Sequence, residues 1–197
     1  MVRLALLRHG PTAWTAERRL QGRVDLPLSS AGRELVSGWR LPAEVQGFAW
    51  VTSPLARARE TALLLGHPEA ALEPRLSEMS FGDWEGRRLL DIGGELGPAL
   101  AEMESRGLDF RAPGGESPRE VQARLMPFLL ESGRGGGDRL AVAHKAVIRA
   151  LYALATGWPM LGRPPQRLKE FGLHLFSVAG DGGLRLEQLN LSLDAPA

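Results

Sequence analysis

The sequence contains no cysteine, which excludes disulfide bonds, a thiolate nucleophile and cysteine metal ligands. Lysine is scarce too: Lys145 and Lys169 are the only two lysines, and arginine supplies the remaining basic side chains. The formal net charge is only +1, which argues against a protein that binds nucleic acid or membranes through bulk charge. No apolar run approaches the roughly 20 residues of a membrane span. We therefore expect a globular protein with neither nucleic-acid nor membrane partners.

The length of 197 residues is typical of a single domain, and we expect one domain over residues 1–197. Glycine, proline and charge rise over about residues 79–116, which predicts a lid-like excursion there. The N-terminus lacks the charged start, apolar middle and small-residue cleavage site of a signal peptide, so a cytoplasmic location is expected. Residues 191–197 are expected to form a loose tail. The sequence allows a homodimer without requiring one.

Short apolar runs alternate with helical patterns along the chain. Strands are predicted at residues 2–7, 48–52, 71–76 and 140–143, and a hairpin at residues 173–179 and 184–189 around a glycine-rich turn. Such alternation predicts an α/β fold, a three-layer α-β-α sandwich with a mainly parallel sheet. The hairpin adds an antiparallel edge strand.

Helix starts are marked by capping residues and prolines. They are predicted after Ser29 or Ser30, at Ser53-Pro54, at Gly97-Pro98 and at the capping box Ser117 to Glu120. Pro127 should kink or shorten the last of these helices. A buried helix is predicted over residues 146–155, and a loop over residues 10–28.

Charged and imidazole side chains follow the predicted strands. The first strand ends at Arg8-His9, the strand at 140–143 ends at His144, and Arg57 lies in the first turns of the helix after residue 52. Because parallel strands share a carboxyl edge, one cleft could hold all of these groups. Two imidazoles and two guanidiniums suit an oxyanion with several oxygens, and phosphate is the ligand that arginine binds in a bidentate fork.

Six segments, in order, resemble the histidine phosphatase superfamily, the phosphoglycerate-mutase-like proteins. They are LLRHGPT, QGRVDLPLSSAGR, SPLARARETA, LSEMSFGDWEG, PGGES and VAHKAVIRAL. The resemblance covers almost the whole chain and implies the phosphoglycerate-mutase-like α/β fold. It further implies that His9 is a nucleophile that becomes phosphohistidine, and that Arg8, Arg57 and His144 hold the phosphoryl oxygens. Glu78 would be the proton donor to the leaving group, with Asp83 and Glu85 as alternatives.

The chemistry of phosphoryl transfer explains these residue types. The nucleophile must be neutral, and the two arginines lower the pKa of His9 by disfavouring the imidazolium. An alkoxide is a poor leaving group, so Glu78 must be protonated, which requires a raised pKa. Arginines supply the positive charge, so no metal and no cofactor are predicted.

Five further residues are candidates for substrate binding. Thr12 and Gln21 either contact phosphate or order their loop, and Gly22 belongs to the same loop. Thr15 stands where many family members have asparagine. Lys145 stands where they commonly have glycine or alanine, and it either adds charge to the cleft or turns to solvent.

We predict a metal-independent phosphomonoesterase acting on small phosphorylated metabolites. The quoted segments are equally compatible with two kinds of phosphatase. One is a member of the α-ribazole-5′-phosphate phosphatase branch, which the segments resemble, and the other is a phosphatase that acts broadly on small metabolites. A cofactor-dependent phosphoglycerate mutase is the alternative, but those mutases tend to be longer. A further alternative is a non-catalytic phosphate-binding or adaptor protein. Such a protein should lack at least one catalytic group, whereas the set of family motifs in this sequence is complete. The leaving group is expected to be selected by residues 11–25 and 79–116 and the region around Arg163.

Overall fold

The computed structural model describes residues 1–193, and a six-stranded mixed sheet forms its centre. The strands are, in chain order, β1 (Val2–Arg8), β2 (Ala49–Thr52), β3 (Ala71–Leu72), β4 (Arg139–Ala143), β5 (Leu173–Val178) and β6 (Leu184–Leu191). Across the sheet they are arranged β3-β2-β4-β1-β5-β6. The first four in that arrangement run parallel, β5 is antiparallel to β1, and β6 is antiparallel to β5. The predicted α/β class is confirmed, and the antiparallel strand lies one position inside the edge that β6 forms.

The helices within residues 1–193 are α1 (Ala13–Ala16), α2 (Ser30–Ser37), α3 (Ala56–Leu64), α4 (Leu89–Leu96), α5 (Pro98–Glu104), α6 (Pro118–Arg134) and α7 (Lys145–Thr156). Short 3₁₀ turns occur at Ala43–Val45, Pro74–Leu76, Gly82–Trp84 and Gly107–Asp109. In this part of the chain, none of the helices has both the length and the apolar character needed to cross a membrane. Of the predicted tail, Leu191 ends β6, and residues 194–197 lie outside the described part.

Alternating side chains of β1 enter two separate cores, one on each face of the sheet. Leu4 and Leu6 pack with buried residues of α6 and α7. Ala5 and Leu7 pack with buried residues of α2 and α3. Because successive strand residues point to opposite faces, a run that is apolar throughout is what a strand covered on both sides requires. The middle layer is therefore the sheet, as predicted.

Local capping patterns account for the predictions that the structure confirms most closely. Ser117 and Glu120 form the predicted capping box, with each side chain bonded to the other's backbone amide. Helix α6 then runs to Arg134 and is not shortened at Pro127. Its buried side chains, which include Leu125 and Phe128, pack in the core and offset the hydrogen bond that proline removes.

Two predicted boundaries were wrong. Ser53 does not cap a helix, because α3 begins at Ala56 with Leu55 in the capping position. The predicted strand over residues 71–76 is only two residues long. Pro74 then opens a 3₁₀ turn, which Glu73 caps by accepting a hydrogen bond from the Arg75 amide. Proline has no amide hydrogen to extend the ladder, so the strand ends before it.

Two helices were missed. Helix α1 lies within the predicted loop of residues 10–28, and α4 lies within the excursion. The sequence of α4 does not predict a helix, because it contains Gly93 and Gly94, and glycine is unfavourable inside a helix. Its apolar side chain Ile92 packs against Trp84 and Ala112 in a third, smaller core, which offsets that cost. Helix α5 also ends at Glu104, before the glycine expected to stop it.

Candidate active site

The carboxyl ends of three neighbouring parallel strands bring two histidines and a serine together. Strands β2, β4 and β1 lie side by side, and they are followed by Ser53, His144 and His9, respectively. The His9 amide donates to the Ala143 carbonyl oxygen at 3.1 Å, which holds the ends of β1 and β4 together. The two imidazole rings are tilted by 56°, with centroids 5.0 Å apart. The two predicted histidines therefore lie in one site.

His9 is a buried imidazole with a defined hydrogen position. Its Nδ1 lies 2.7 Å from the carbonyl oxygen of Gly10. Since a carbonyl oxygen can only accept, Nδ1 carries the hydrogen, and Nε2 keeps its lone pair. Burial lowers the pKa of His9 well below its ordinary value of 6.5, and the charges of Arg8 and Arg57 lower it further. His9 is thus a neutral imidazole with an unprotonated Nε2.

Ser53 fixes the hydrogen of the second imidazole. Nε2 of His144 lies 2.7 Å from the Ser53 hydroxyl oxygen, which also accepts a hydrogen bond from the Leu55 amide at 3.3 Å. Among residues 1–193 this hydroxyl has no other acceptor, so its hydrogen is directed to Nε2, and the His144 ring hydrogen is assigned to Nδ1. Nδ1 is buried and has no partner among the described residues. Burial lowers the pKa of His144 well below 6.5, and His9 and Arg57 add to the effect.

Arg57 is a fully buried guanidinium at the start of α3, whereas Arg59 on the same helix is exposed. The terminal nitrogens of Arg57 donate to the carbonyl oxygens of Val24 and Gly22, each at 2.8 Å. Its Nε is buried without a partner in the described part of the chain. Residues 22–24 thus hold Arg57 by its two terminal nitrogens and leave the N–H of Nε free to donate.

Arg8 lies at the end of β1 and pairs with a residue far along the chain. Its Nη1 forms an ion pair with the carboxylate of Glu170, and its guanidinium lies 6.0 Å from the centre of the Phe171 ring. Nε of Arg8 is buried and, within residues 1–193, has no partner. Arg8 therefore also has a free donor in the site.

Glu78 is the only carboxylate in the cavity described below that is buried rather than partly or fully exposed. Its two oxygens accept hydrogen bonds from the amides of Met79 at 2.9 Å and Ala146 at 3.4 Å. Burial raises the pKa of Glu78 above its ordinary value, and the two amides and the charges of Arg57 and Arg8 oppose the rise. The two alternatives to Glu78, Asp83 and Glu85, lie outside the cavity lining among the described residues.

The backbone on both sides of Glu78 is held by one ion pair. Arg124 on α6 donates to the carbonyl oxygens of Arg75 and Ser77, and its Nε donates to Glu116 at 2.7 Å. The Glu116 carboxylate in turn accepts a hydrogen bond from the Ser80 amide at 3.4 Å. The position of the Glu78 side chain therefore depends on a helix more than 40 residues further along the chain.

A cavity of about 660 Å³ opens from these groups. Arg8, His9 and Glu78 line one part of it, and aromatic and apolar side chains line much of the rest. The aromatic members are Trp14, Phe81, Trp84 and Phe110. A phosphoryl group fills only a small part of such a volume, so the cavity has room for a leaving group as well. The excursion and residues 14–21 both contribute to its wall, and so do residues near Arg163, namely Met160, Gly162 and Glu170.

The candidate binding residues of the first loop separate into two kinds. Thr15 and Gln21 line the cavity, and Gln21 Nε2 donates to the Thr15 hydroxyl at 3.0 Å. Thr12 forms a capping box with Thr15 at the start of α1 and orders the loop. Gly22 has a φ of +52°, and a Cβ there would meet the Glu85 carboxylate at 2.0 Å. The positive φ favours glycine at position 22, whose carbonyl accepts from Arg57, and a Cβ there would also displace the Glu85 side chain.

Lys145 lines the cavity directly after His144 and is accessible to solvent. Partial burial lowers its pKa, the neighbouring cations Arg8 and Arg149 lower it further, and the carboxylates of Glu170 and Glu78 oppose the fall. Lys145 therefore lies in the cavity wall and is also exposed to solvent, and its role toward a substrate stays a prediction.

Sequence reasoning missed three residues of the site. Ser53 was assigned to a helix cap, Arg149 was read as part of a buried apolar helix, and Glu170 carried no local pattern at all. The spacing of Arg149, four residues after Lys145, was the one signal that could have located it, because such residues share a helix face. Within residues 1–193, no three or more histidine, aspartate or glutamate side chains are grouped as metal ligands would be.

Comparison with known proteins gives a match over almost the whole chain. Residues 4–191 match the model of the histidine phosphatase superfamily (branch 1). The chain belongs to the histidine phosphatase superfamily. The predicted family is therefore confirmed.

Relatives within this superfamily carry two kinds of name. A glucosyl-3-phosphoglycerate phosphatase of Mycolicibacterium vanbaalenii is 38% identical over 181 residues, which cover 81% of this chain and 79% of that protein. A probable phosphoglycerate mutase of Escherichia fergusonii is 31% identical over 176 residues, covering 86% and 81%. Among solved structures, a mycobacterial glucosyl-3-phosphoglycerate phosphatase in complex with VO₃ superposes with a TM-score of 0.78 at 30% identity, covering 98% of this chain and 100% of that one. Family and relatives together confirm the predicted enzyme class, a phosphomonoesterase of this superfamily.

Proposed function

We propose that this histidine phosphatase hydrolyses small phosphomonoesters through a phosphohistidine formed on Nε2 of His9. One observation carries the assignment of roles: three buried donors around His9 have no partner among the described residues. They are Nε of Arg8, Nε of Arg57 and Nδ1 of His144. Buried donors without partners are rare and costly, so a ligand with several acceptor oxygens is the natural partner for them. A phosphoryl group has that set of oxygens, and its negative charge suits the two guanidiniums.

In the first step, Nε2 of His9 attacks phosphorus, and the bond from phosphorus to the leaving oxygen breaks. Glu78 gives its proton to that oxygen, so the leaving group departs as a neutral alcohol. The raised pKa of Glu78 favours the protonated form that this step needs. Arg8, Arg57 and His144 hold the equatorial oxygens, on which negative charge accumulates in the transition state.

In the second step, water attacks phosphorus, and the bond to Nε2 breaks. Glu78, now a carboxylate, takes the proton from the attacking water. Orthophosphate leaves, and both His9 and protonated Glu78 are regenerated. The hydrogen bond from Nδ1 of His9 to the Gly10 carbonyl supports this cycle, because it keeps the same nitrogen nucleophilic before and after the transfer.

The test compares wild type with His9→Ala on p-nitrophenyl phosphate in buffer containing a metal chelator. We expect wild type to turn over and His9→Ala to lose more than about 10³-fold in kcat, as is usual when a nucleophile is removed. Arg59→Gln on the exposed side of α3 is the matched control and should retain the wild-type rate. Equal rates for wild type and His9→Ala would contradict the assignment of His9 as the nucleophile.

Two further measurements separate hydrolysis from the alternatives. Rapid quenching with radiolabelled substrate should give an acid-labile, alkali-stable label on wild type and none on His9→Ala. A mutase would instead interconvert 3-phosphoglycerate and 2-phosphoglycerate faster than it releases orthophosphate, and added 2,3-bisphosphoglycerate would accelerate the conversion. We expect orthophosphate release to dominate with and without the bisphosphate.

A further inference from the structure

The half-buried carboxylate of Glu85 joins two segments of the site that come from different parts of the chain. One is the loop of residues 22–24, whose carbonyl oxygens hold Arg57, and the other is residues 80–81, which follow Glu78 closely. Sequence reasoning kept Glu85 as an alternative proton donor, yet it is not among the residues within 1–193 that line the cavity. Its role must therefore be sought in what its two oxygens bind within the protein.

On the first side, Glu85 accepts two backbone hydrogen bonds. Its Oε1 accepts from the Arg23 amide at 3.0 Å, and its Oε2 accepts from the Val24 amide at 3.1 Å. Arg57 donates to the carbonyl oxygens of Gly22 and Val24, each at 2.8 Å. The short loop is thus held by a carboxylate and by a guanidinium at the same time.

One peptide group lies between these two charges. The N–H of the peptide that links Gly22 to Arg23 donates to Glu85, and its C=O accepts from the guanidinium. The N–H and C=O of a trans peptide point in opposite directions, so its dipole has the positive end at the carboxylate and the negative end at Arg57. Burial lowers the pKa of Arg57, and the charge of Glu85 is among those that oppose the fall. The orientation of Arg57 therefore depends on a carboxylate at the far side of a peptide group.

On the second side, the same carboxylate fixes the chain that follows the acid. Oε1 of Glu85 accepts from the Phe81 amide at 3.0 Å and from the Ser80 hydroxyl at 3.3 Å. Phe81 lines the cavity three positions after Glu78. Because Oε1 also accepts from the Arg23 amide, a shift of this one atom would move both segments.

We propose that Glu85 is a positioning residue that sets the separation between the guanidinium of Arg57 and the carboxyl group of Glu78. Hydrolysis needs both groups at once, because Arg57 holds phosphoryl oxygens while Glu78 protonates the leaving oxygen. Misplacing a group of an active site by about 1 Å costs up to about 10²-fold in rate. These two roles are those of the proposed function, on which the inference rests.

Two variants separate positioning from charge. Glu85→Gln keeps the length of the side chain but puts an amide nitrogen where one oxygen accepts, and Glu85→Asp keeps the charge but is shorter by one methylene. A positioning role predicts that both variants bind inorganic phosphate about tenfold more weakly, measured as competitive inhibition of p-nitrophenyl phosphate hydrolysis. A purely electrostatic role predicts stronger binding by Glu85→Gln, because a negative charge near Arg57 is lost, and no change in Glu85→Asp.

The second readout concerns the proton donor. In both variants, kcat/KM for glycerol 3-phosphate should fall about tenfold more than kcat/KM for p-nitrophenyl phosphate, because only the alkyl leaving group needs the proton from Glu78. Asp83→Asn is the matched control. It removes the same charge from an exposed side chain two residues earlier, and both readouts should stay as in wild type.

The two segments stay joined without the Glu85 side chain, so both variants are expected to fold. The Gly86 amide donates to the Leu20 carbonyl oxygen at 2.8 Å, and the Leu20 amide donates to the Arg87 carbonyl oxygen at 2.9 Å. Thermal unfolding of each variant measures any loss of stability separately from the two readouts. A wild-type value of either readout in either Glu85 variant would overturn the proposal, and so would stronger phosphate binding in Glu85→Gln.

Phosphate affinity measured by calorimetry tests the Arg57 side without turnover. If wild type fails to hydrolyse p-nitrophenyl phosphate but both Glu85 variants bind phosphate about tenfold more weakly than Asp83→Asn does, the proposed function fails and the positioning of Arg57 by Glu85 stands. If wild type hydrolyses its substrates and the Glu85 variants match Asp83→Asn in both readouts, the proposed function stands and the role of Glu85 is refuted.

Discussion

The hydroxyl oxygen of Ser53 and Nε2 of His144 lie 2.7 Å apart, at the ends of the neighbouring strands β2 and β4. Ser53→Ala removes the donor that sets the His144 tautomer, so Nδ1 loses its fixed hydrogen. We expect kcat on p-nitrophenyl phosphate to fall roughly ten- to hundredfold, as when the outer partner of a functional imidazole is lost. Steady-state kinetics and thermal unfolding of the same sample measure the effect on rate and on stability separately.

Ser29→Ala is the matched control for Ser53→Ala. Ser29 caps α2 by accepting a hydrogen bond from the Gly32 amide at 3.0 Å, and its hydroxyl donates to the Pro11 carbonyl oxygen at 3.3 Å, a contact that its backbone amide also makes and keeps in the variant. Its loss should cost about 1 kcal/mol of folding free energy and leave kcat unchanged. If Ser53→Ala behaves in the same way, with lowered stability and a normal kcat, then Ser53 is only structural.

The pH profile of kcat/KM should report two shifted pKa values. His9 must be neutral to attack, and its pKa is lowered, so activity should rise with pH through a pKa below 6.5. Glu78 must be protonated to donate, and its pKa is raised, so activity should fall as pH rises through a pKa above 4.5. The rates are corrected for the second ionisation of the substrate phosphate, which has a pKa of about 6. A rising limb centred at or above 6.5 would contradict the assignment of His9.

Glu78→Gln should slow the hydrolysis of each substrate to an extent that depends on how much its leaving group needs a proton. With an alkyl phosphate such as glycerol 3-phosphate, kcat/KM, which covers only the steps up to release of the alcohol, should fall about 10²- to 10⁴-fold. With p-nitrophenyl phosphate the loss in kcat/KM should be much smaller, because p-nitrophenolate departs without protonation. Glu95→Gln, which breaks the exposed ion pair with Arg87, is the control. Equal losses on both substrates would mean that Glu78 acts on binding rather than as the acid.

Arg124→Lys should reproduce the Glu78 effect in weaker form. Lysine keeps the charge but cannot donate to the carbonyl oxygens of Arg75 and Ser77 and to Glu116 at the same time. The alkyl phosphate should therefore lose about tenfold in kcat/KM relative to p-nitrophenyl phosphate, since general acid catalysis as a whole contributes about 10²- to 10⁴-fold. A fall in stability without any change in this ratio would show that Arg124 supports the fold and not the position of Glu78.

Glu170→Gln should strengthen the binding of inorganic phosphate. In the free protein the Glu170 carboxylate occupies Nη1 of Arg8, so it competes with an incoming anion and repels it. The Glu170 side chain is 54% exposed, and solvent screening limits the gain to a roughly two- to fivefold lower inhibition constant. Competitive inhibition by phosphate measures it, with Glu95→Gln as control. Weaker inhibition would indicate that Glu170 holds Arg8 in place for the ligand.

Features of the fold that depend on nearby residues could be predicted from the sequence. The capping box at Ser117 involves residues three positions apart, and β1 ends at Arg8, directly before His9, as expected. Alternation of strands and helices was sufficient for the parallel arrangement that brings His9 and His144 together. In these cases the interacting residues lie close together in the sequence, or they belong to a pattern that repeats along it.

Features that depend on distant partners could not be predicted. Glu170 meets Arg8 across 162 positions, and nothing beside Glu170 indicates this. Ser53 followed by proline fits a helix start, yet its hydroxyl bonds a histidine 91 positions away. Either role, capping a helix or bonding the histidine, would give the Ser53 hydroxyl a hydrogen-bond partner. Only the placement of β2 beside β4 in the folded protein decides between the two roles.

The central position of β1 has a consequence for the order in which the protein is made. β1 is synthesised first, but its two neighbours in the sheet are β4, which begins at Arg139, and β5, which begins at Leu173. Pairing over such separations closes long loops, which is slow. His9 leaves the ribosome long before His144 has been added to the chain. The active site therefore cannot assemble in stages during synthesis, because His9 cannot meet His144 until residues in the last third of the chain have been added.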